Sequence, residues 1–165
     1  MKTLFLTIIL ALSIVSTNAQ QINSVDKLTA SYIGVKDALV SSNAELTKSR
    51  SKELLGALTA FPVKTLQPKQ QKTYAAYLNK LKYDSRHISE TTVIDHQREH
   101  FQSLSKNMFA LLSGLNANNS PLYQQYCPMK KAYWLSESTE IRNPYYGEDM
   151  LECGKVTATL KVAAK

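Results

Sequence analysis

Apolar residues recur at spacings of three and four in four consecutive stretches of this chain, which is the pattern of amphipathic helices. Polar or proline-containing breaks separate the stretches at residues 41–43, 61–67 and 90–92. The apolar positions are Val25, Leu28, Tyr32, Val35 and Leu39; Leu46, Leu54, Leu55 and Leu58; Tyr74, Tyr77, Leu78, Leu81 and Ile88; and Ile94, Phe101, Leu104, Met108, Leu111 and Leu115. Short links between four such helices predict a mainly α protein, an up-down four-helix bundle over residues 24–116.

The pattern changes after Pro121, where aromatic residues become dense. Residues 123–127 and 133–135 are predicted to be extended or short strands, and residues 143–147 to form a turn. Aromatic density at a chain end is typical of a segment packed on a core. We therefore expect residues 121–165 to form an irregular aromatic cap, with Trp134, the only tryptophan, buried against the bundle.

The first 19 residues have the pattern of a secretory signal peptide. Lys2 precedes an apolar segment over residues 4–15, and Thr17-Asn18-Ala19 follows as the cleavage region. The apolar segment is too short for a membrane helix, which needs about 20 residues. We expect cleavage after Ala19, a single domain over residues 20–165, a periplasmic or secreted location, and no membrane-spanning segment.

The chain carries a formal net charge of +7. A basic balance is one mark of nucleic-acid-binding proteins. The lysines are scattered rather than clustered, however, and export separates the chain from nucleic acid. We expect no nucleic-acid partner.

Both cysteines lie in the tail, and each has a methionine close by, as Cys127-x-Met129 and Met150-x-x-Cys153. Thiolates and thioethers prefer soft ions such as Cu(I) or Ag(I), so these four residues are candidate metal ligands. Two cysteines in an exported chain also suit a disulfide, worth about 3 to 4 kcal/mol for a loop of this length in the chain-entropy model. The residue types alone favour the disulfide, and both interpretations stay open.

His96 and His100 are additional candidate ligands, because residues four apart share one face of a helix. Glu99 between them does not complete an H-E-x-x-H zinc motif. The alternative is a solvated polar face, since both histidines lie off the apolar stripe of the fourth helix. His87 is predicted to be a surface residue.

No motif of a catalytic site is present. The chain has no C-x-x-C redox pair, no haem attachment sequence, no glycine-rich phosphate loop and no G-x-S-x-G elbow. A nucleophile at Cys127 with His96 or His100 as base would have no recognisable oxyanion hole. We expect that the protein is not an enzyme.

Several segments resemble domain-of-unknown-function family 3347. They are C-P-M at Cys127–Met129, W-L-S at Trp134–Ser136, I-R-N-P-Y-Y-G at Ile141–Gly147, M-L-E-C-G at Met150–Gly154 and, upstream, Q-R-E-H-F at Gln97–Phe101. Family members are exported bacterial proteins, common in Bacteroidetes, and the domain also occurs attached to adaptors of copper/silver efflux pumps. The resemblance implies metal handling, with efflux-pump components as partners. This chain departs from the family in the shorter loop between Met129 and Trp134.

Two functions are therefore expected. One is binding of Cu(I) or Ag(I) by Cys127, Met129, Met150 and Cys153, completed by His96 or His100 if the tail folds over the fourth helix. The other is a non-catalytic interaction module of the cell envelope, stapled by a disulfide between the two cysteines, whose aromatic residues fit an interface as well as a core.

Overall fold

The structure, a computed structural model, describes residues 24–163, so the predicted signal peptide lies outside the described residues. Within them are four helices, α1 over residues 24–40, α2 Ala44–Ala60, α3 Pro68–Glu90 and α4 Ile94–Leu115. Three strands follow, β1 Leu122–Cys127, β2 Ala132–Ser136 and β3 Lys155–Leu160, and 3-10 turns occupy Val63–Thr65 and Gly147–Met150. None of the helices in this part of the chain is long and apolar enough to cross a membrane.

The helices begin and end where local chemistry favours it, so the predicted breaks are confirmed. Asn43 caps α2 by accepting a hydrogen bond of 2.9 Å from the Leu46 N–H. Pro68 occupies the first turn of α3, where a missing N–H costs nothing. Asn116 closes α4 in the left-handed conformation and donates its N–H to the Leu112 carbonyl.

Side-chain hydrogen bonds show that α3 runs antiparallel to both of its neighbours. Near its start, the Tyr74 hydroxyl donates to the Leu58 carbonyl at the end of α2, at 2.6 Å. The Gln70 amide in the same turn donates to the Leu115 carbonyl at the end of α4, at 2.5 Å. The helices α2, α3 and α4 therefore alternate in direction.

The predicted apolar stripes meet in one core. Its fully buried members include Val25, Leu28, Tyr32, Leu39, Leu54, Leu58, Leu81, Ile88, Phe101, Leu104, Met108 and Leu111. The stripe predicted for α2 is wrong at its start, because Leu46 is 39% exposed. The buried face of α2 is instead shared with small polar residues, Thr47 and Ser51.

The tail contains a three-stranded antiparallel sheet in the order β2-β1-β3. The two extended segments of the sequence analysis are confirmed as β1 and β2, which pair with Gln125 opposite Trp134. The prediction of an irregular cap is corrected by β3, which pairs with β1 across a bulge at Gln124/Gln125. The sequence of β3 does alternate apolar and polar residues, with Val156, Ala158 and Leu160 as the apolar ones. The alternation is short and its apolar residues are small or moderate in size, as suits an edge strand that is mostly exposed.

One tyrosine of α1 joins the helices to the sheet. Tyr32 is fully buried and stacks on Phe101 of α4, with ring centroids 5.5 Å apart. Its hydroxyl hydrogen-bonds the Ser105 hydroxyl at 2.8 Å and accepts the Leu135 N–H of β2 at 3.0 Å. Trp134 is only 1% exposed, which confirms its predicted burial.

The buried tyrosines predict a loss of stability in alkaline solution. Burial raises the pKa of the Tyr32, Tyr74 and Tyr145 phenols above the ordinary value. Unfolded tyrosines ionise near pH 10, so above that pH the unfolded state releases protons that the folded state retains. The free energy of unfolding, measured by urea denaturation, should therefore fall as pH rises from about 9 to about 11.

Two variants test whether the buried phenols cause this pH dependence. Tyr32→Phe removes one of them and should flatten the slope of stability against pH. Tyr83→Phe is the matched control and should leave the slope unchanged, because Tyr83 is 58% exposed. Equal slopes for Tyr32→Phe and the parent protein would contradict the assignment.

Candidate metal centres

The two cysteines meet at one edge of the sheet. Cys127 ends β1 and Cys153 lies just before β3, so the pairing of these strands brings residues distant in sequence together. Their Sγ atoms are 3.8 Å apart, and both side chains are free thiols. Cys127 is fully buried, whereas Cys153 is partly exposed. Both sequence interpretations, a soft-metal site and a disulfide, require this proximity.

A buried asparagine fixes the segment that carries Cys153. The Asn143 side chain donates to the Cys153 carbonyl at 2.8 Å and accepts the Tyr145 N–H at 2.9 Å. The Asn143 backbone N–H also donates to the Leu151 carbonyl at 2.8 Å. Sequence reasoning identified residues 143–147 as a turn but missed the role of Asn143, because the turn signal does not show which distant carbonyl the amide reaches.

A glycine allows the cysteine segment to lie close against the sheet. A Cβ at Gly154 would lie 2.9 Å from the Trp134 ring, 3.0 Å from Ile141 and 3.2 Å from the Tyr126 carbonyl. These distances leave no room for a side chain at this position. Gly154 therefore sets how closely Cys153 approaches Cys127.

Burial and the neighbouring sulfur both influence the Cys153 thiol. Desolvation, with the adjacent Cys127, raises the pKa of Cys153, while the backbone N–H of Met129 lowers it in part. The Lys130 N–H donates to the Cys127 sulfur at 3.4 Å. A metal ion that binds this pair must displace thiol protons, so its apparent affinity should rise with pH.

The two methionines of the predicted sulfur site are placed less favourably than the cysteines. Met129 is 64% exposed, so a metal ion would have to order its side chain before the thioether became a ligand. Met150 is partly buried in the second 3-10 turn, and its carbonyl accepts the Cys153 N–H at 3.1 Å. The structure thus brings the two thiols together, while Met129 stays in solvent.

The histidines form a separate group. His96 and His100 lie beside His87 of α3, and one donor atom from each of the three lies within 4.8 Å of the others. Neither cysteine belongs to this group in the part of the chain that the structure describes. The next residue on α4, Phe101, contacts the cap through Tyr145, with ring centroids 5.9 Å apart. His96 and His100 as additional ligands of the sulfur site stay a prediction, and the prediction of His87 as a surface residue missed its place in the group.

A buried carboxylate supports the histidine group. Asp84 of α3 is 3% exposed, and its Oδ1 lies 3.1 Å from His100 Nδ1. Its Oδ2 accepts a short hydrogen bond from the Ser103 hydroxyl. Sequence reasoning missed Asp84, although it lies three residues before His87 and so shares a face of α3 with it.

Together these features define a mainly helical domain with a small C-terminal sheet, a pair of neighbouring thiols and a cluster of three histidines. The model of the family described as "Protein of unknown function (DUF3347)" matches residues 28–120, more than half of the chain, so the chain belongs to this family. The match contains all three histidines and ends before β1, so the cysteines lie outside it. No curated protein and no solved structure matches the chain.

Asn143→Ala should slow formation of a disulfide between the two cysteines. Without the amide, the segment before Cys153 samples more conformations, so the effective concentration of one thiol at the other falls. The rate with oxidised glutathione, followed by alkylation and mass spectrometry, should drop severalfold. Asn119→Ala, which removes an exposed amide bonded to Asp26, should not change it. An unaltered rate in Asn143→Ala would show that Asn143 does not position Cys153 for reaction.

Proposed function

We propose that this protein binds a soft metal ion, Cu(I) or Ag(I), through the thiolates of Cys127 and Cys153, and that its role is binding rather than catalysis. The 3.8 Å separation of two free sulfurs carries the proposal. An ion about 2.3 Å from each sulfur, the usual zinc–thiolate distance, would make an S–metal–S angle of roughly 110°. That angle suits an ion with a third ligand, such as the thioether of Met129 or Met150, and with it the two sulfurs need little rearrangement.

The surroundings of the pair suit a soft cation. Thiolates favour Cu(I) and Ag(I) over hard ions such as Mg²⁺. The partly exposed Cys153 gives an ion a way in, while the buried Cys127 shields it from water. The backbone N–H groups of Met129 and Lys130 support negative charge on the two sulfurs. Met129 or Met150 would assist as a weaker, neutral third ligand.

A second candidate function is a disulfide-stapled interaction module. Closing the disulfide would bring the sulfurs from 3.8 Å to about 2.05 Å. Exposed apolar side chains lie near the β1–β2 hairpin, with Met129 64% and Tyr133 41% exposed, as expected of a docking surface. The two functions exclude each other in one molecule, because a sulfur in a disulfide is not a thiolate ligand.

We also propose that the protein works outside the cytoplasm and that its partners are components of a metal-efflux pump. It is supported by the apolar segment over residues 4–15 and by the resemblance described above. Intact mass of the protein from the periplasmic fraction should correspond to a chain that begins at Gln20. Retention of residues 1–19 in the membrane fraction would contradict export.

Competition of the reduced protein against a Cu(I) chelator tests the metal site. The protein should bind one Cu(I), and Cys127→Ser or Cys153→Ser should each weaken binding far more than Met129→Leu or Met150→Leu. The reason is that a negatively charged thiolate is a much stronger donor than a neutral thioether. Affinity should also rise with pH as the thiols lose protons.

The double variant Cys127→Ser/Cys153→Ser is the decisive control for this experiment. Equal copper affinity in the double variant and the parent would falsify the proposed site. Thiol counting on freshly isolated protein separates the two candidate functions, since protein without free thiols would favour the disulfide-stapled module.

A further inference from the structure

The group formed by His87, His96 and His100 has the features of a second metal site. These are all the histidines of the chain, which contains three. His96 and His100 lie one turn apart on α4. His87 lies beside them on the neighbouring antiparallel helix α3. We infer that these three imidazoles bind a divalent transition-metal ion of intermediate softness, such as Zn(II), independently of the cysteine pair.

The three rings lie close enough to reach one ion after a change in ring orientation. The His87 and His100 rings stack almost parallel, at an interplanar angle of 10° with centroids 4.6 Å apart, and the His96 ring meets His100 edge-on at 4.8 Å. A metal ion lies in the plane of each imidazole that binds it, so His87 or His100 must rotate out of this stack to share one ion. Two nitrogens bound to one tetrahedral Zn(II) at about 2.0 to 2.1 Å lie roughly 3.4 Å from each other. The donor atoms, which lie within 4.8 Å of one another, must therefore move closer by up to about 1.4 Å as the rings reorient. The His96 side chain is 46% exposed, so it is free to rotate inward.

Asp84 orients the His100 ring as a metal ligand. Its carboxylate accepts the Nδ1–H of His100, which leaves the lone pair on Nε2, and the Ser103 hydroxyl holds the second carboxylate oxygen. A carboxylate behind a histidine is the usual support for a metal ligand, because it fixes the tautomer and makes the ring a stronger donor.

The burial of Asp84 is itself an argument for a cation nearby. The carboxylate is 3% exposed, and a buried carboxylate is costly unless charge and hydrogen bonds offset it. The His100 imidazole supplies a hydrogen bond, and it supplies positive charge only when it is protonated or bound to a metal ion. An ion bound to His100 supplies that charge through the imidazole. A protonated His100 would supply that charge too, so the burial of Asp84 supports a metal ion together with the three clustered imidazoles and not alone.

The donor set decides which ions fit. Imidazole nitrogens suit Zn(II), Cu(II) and Ni(II), whereas Mg(II) and Ca(II) require oxygen ligands. Three protein ligands leave a fourth position for water or an incoming ligand, unlike a closed structural zinc site. The Tyr83 ring, 4.3 Å from His87 and 5.8 Å from His100, lies over one side of the group. The site is therefore open and suited to exchange.

Zn(II) titration of untagged Cys127→Ser/Cys153→Ser protein tests the inference, because the double variant removes the thiolates that would also bind zinc. Calorimetry should show one Zn(II) per chain. His87→Asn or His100→Asn should weaken binding by at least tenfold, and Asp84→Asn by about 10- to 100-fold. Glu45→Gln, at an exposed carboxylate in the first turn of α2, should have no effect.

Nitrogen NMR of the histidine rings gives a readout that does not depend on any variant of these residues. Since every histidine of the chain lies in the site, Zn(II) should shift the ring signals of all three and place the bound nitrogen of His100 at Nε2. Unchanged ring signals, or equal zinc affinity in His87→Asn and its parent, would overturn the inference. Because the cysteines are absent from this protein, either result is independent of the Cu(I) proposal.

Discussion

The burial of α4 on two sides is the constraint on which the rest of the structure depends. One side of the helix lies against α3 and carries His96, His100 and Ser103. Another side lies against α1 and the cap, where Phe101 contacts Tyr32 and Tyr145. Because successive residues on a helix point about 100° apart, one helix serves both surroundings. The histidine group and the contacts with the cap therefore lie on different sides of α4.

The cap is positioned by the helices as well as by its own strands. Arg98 of α4 donates to the Pro144 carbonyl at 3.1 Å and to the Ser42 hydroxyl at 2.9 Å, so one buried cation joins α4, the α1–α2 turn and the cap. Gly147 lies in the left-handed region with φ of +57°, and a Cβ there would clash with Ser42. The segment before Cys153 is therefore held against the helices at Pro144 and Gly147.

Periodicity predicted most of the helical part because each helix buries a single apolar stripe between strong local breaks. The proximity of His96 and His100 could also be predicted, because it depends only on their spacing within one helix. His87 and Asp84 were missed because their contact with α4 depends on how two antiparallel helices are aligned. That alignment is set by tertiary hydrogen bonds such as Gln70 to Leu115. The edge strand β3 was missed because its side chains are mostly exposed, so burial imposed little pattern on its sequence.

The central claim is that one chain holds two donor groups of different chemical character, a soft thiol pair and a group of imidazoles. Anomalous diffraction from crystals of the reduced protein loaded with both Ag(I) and Zn(II) tests it most directly. Silver is expected between the Sγ atoms of Cys127 and Cys153, and zinc is expected between α3 and α4 beside His87, His96 and His100. Both metals at the cysteine pair, or no metal at the histidines, would contradict it.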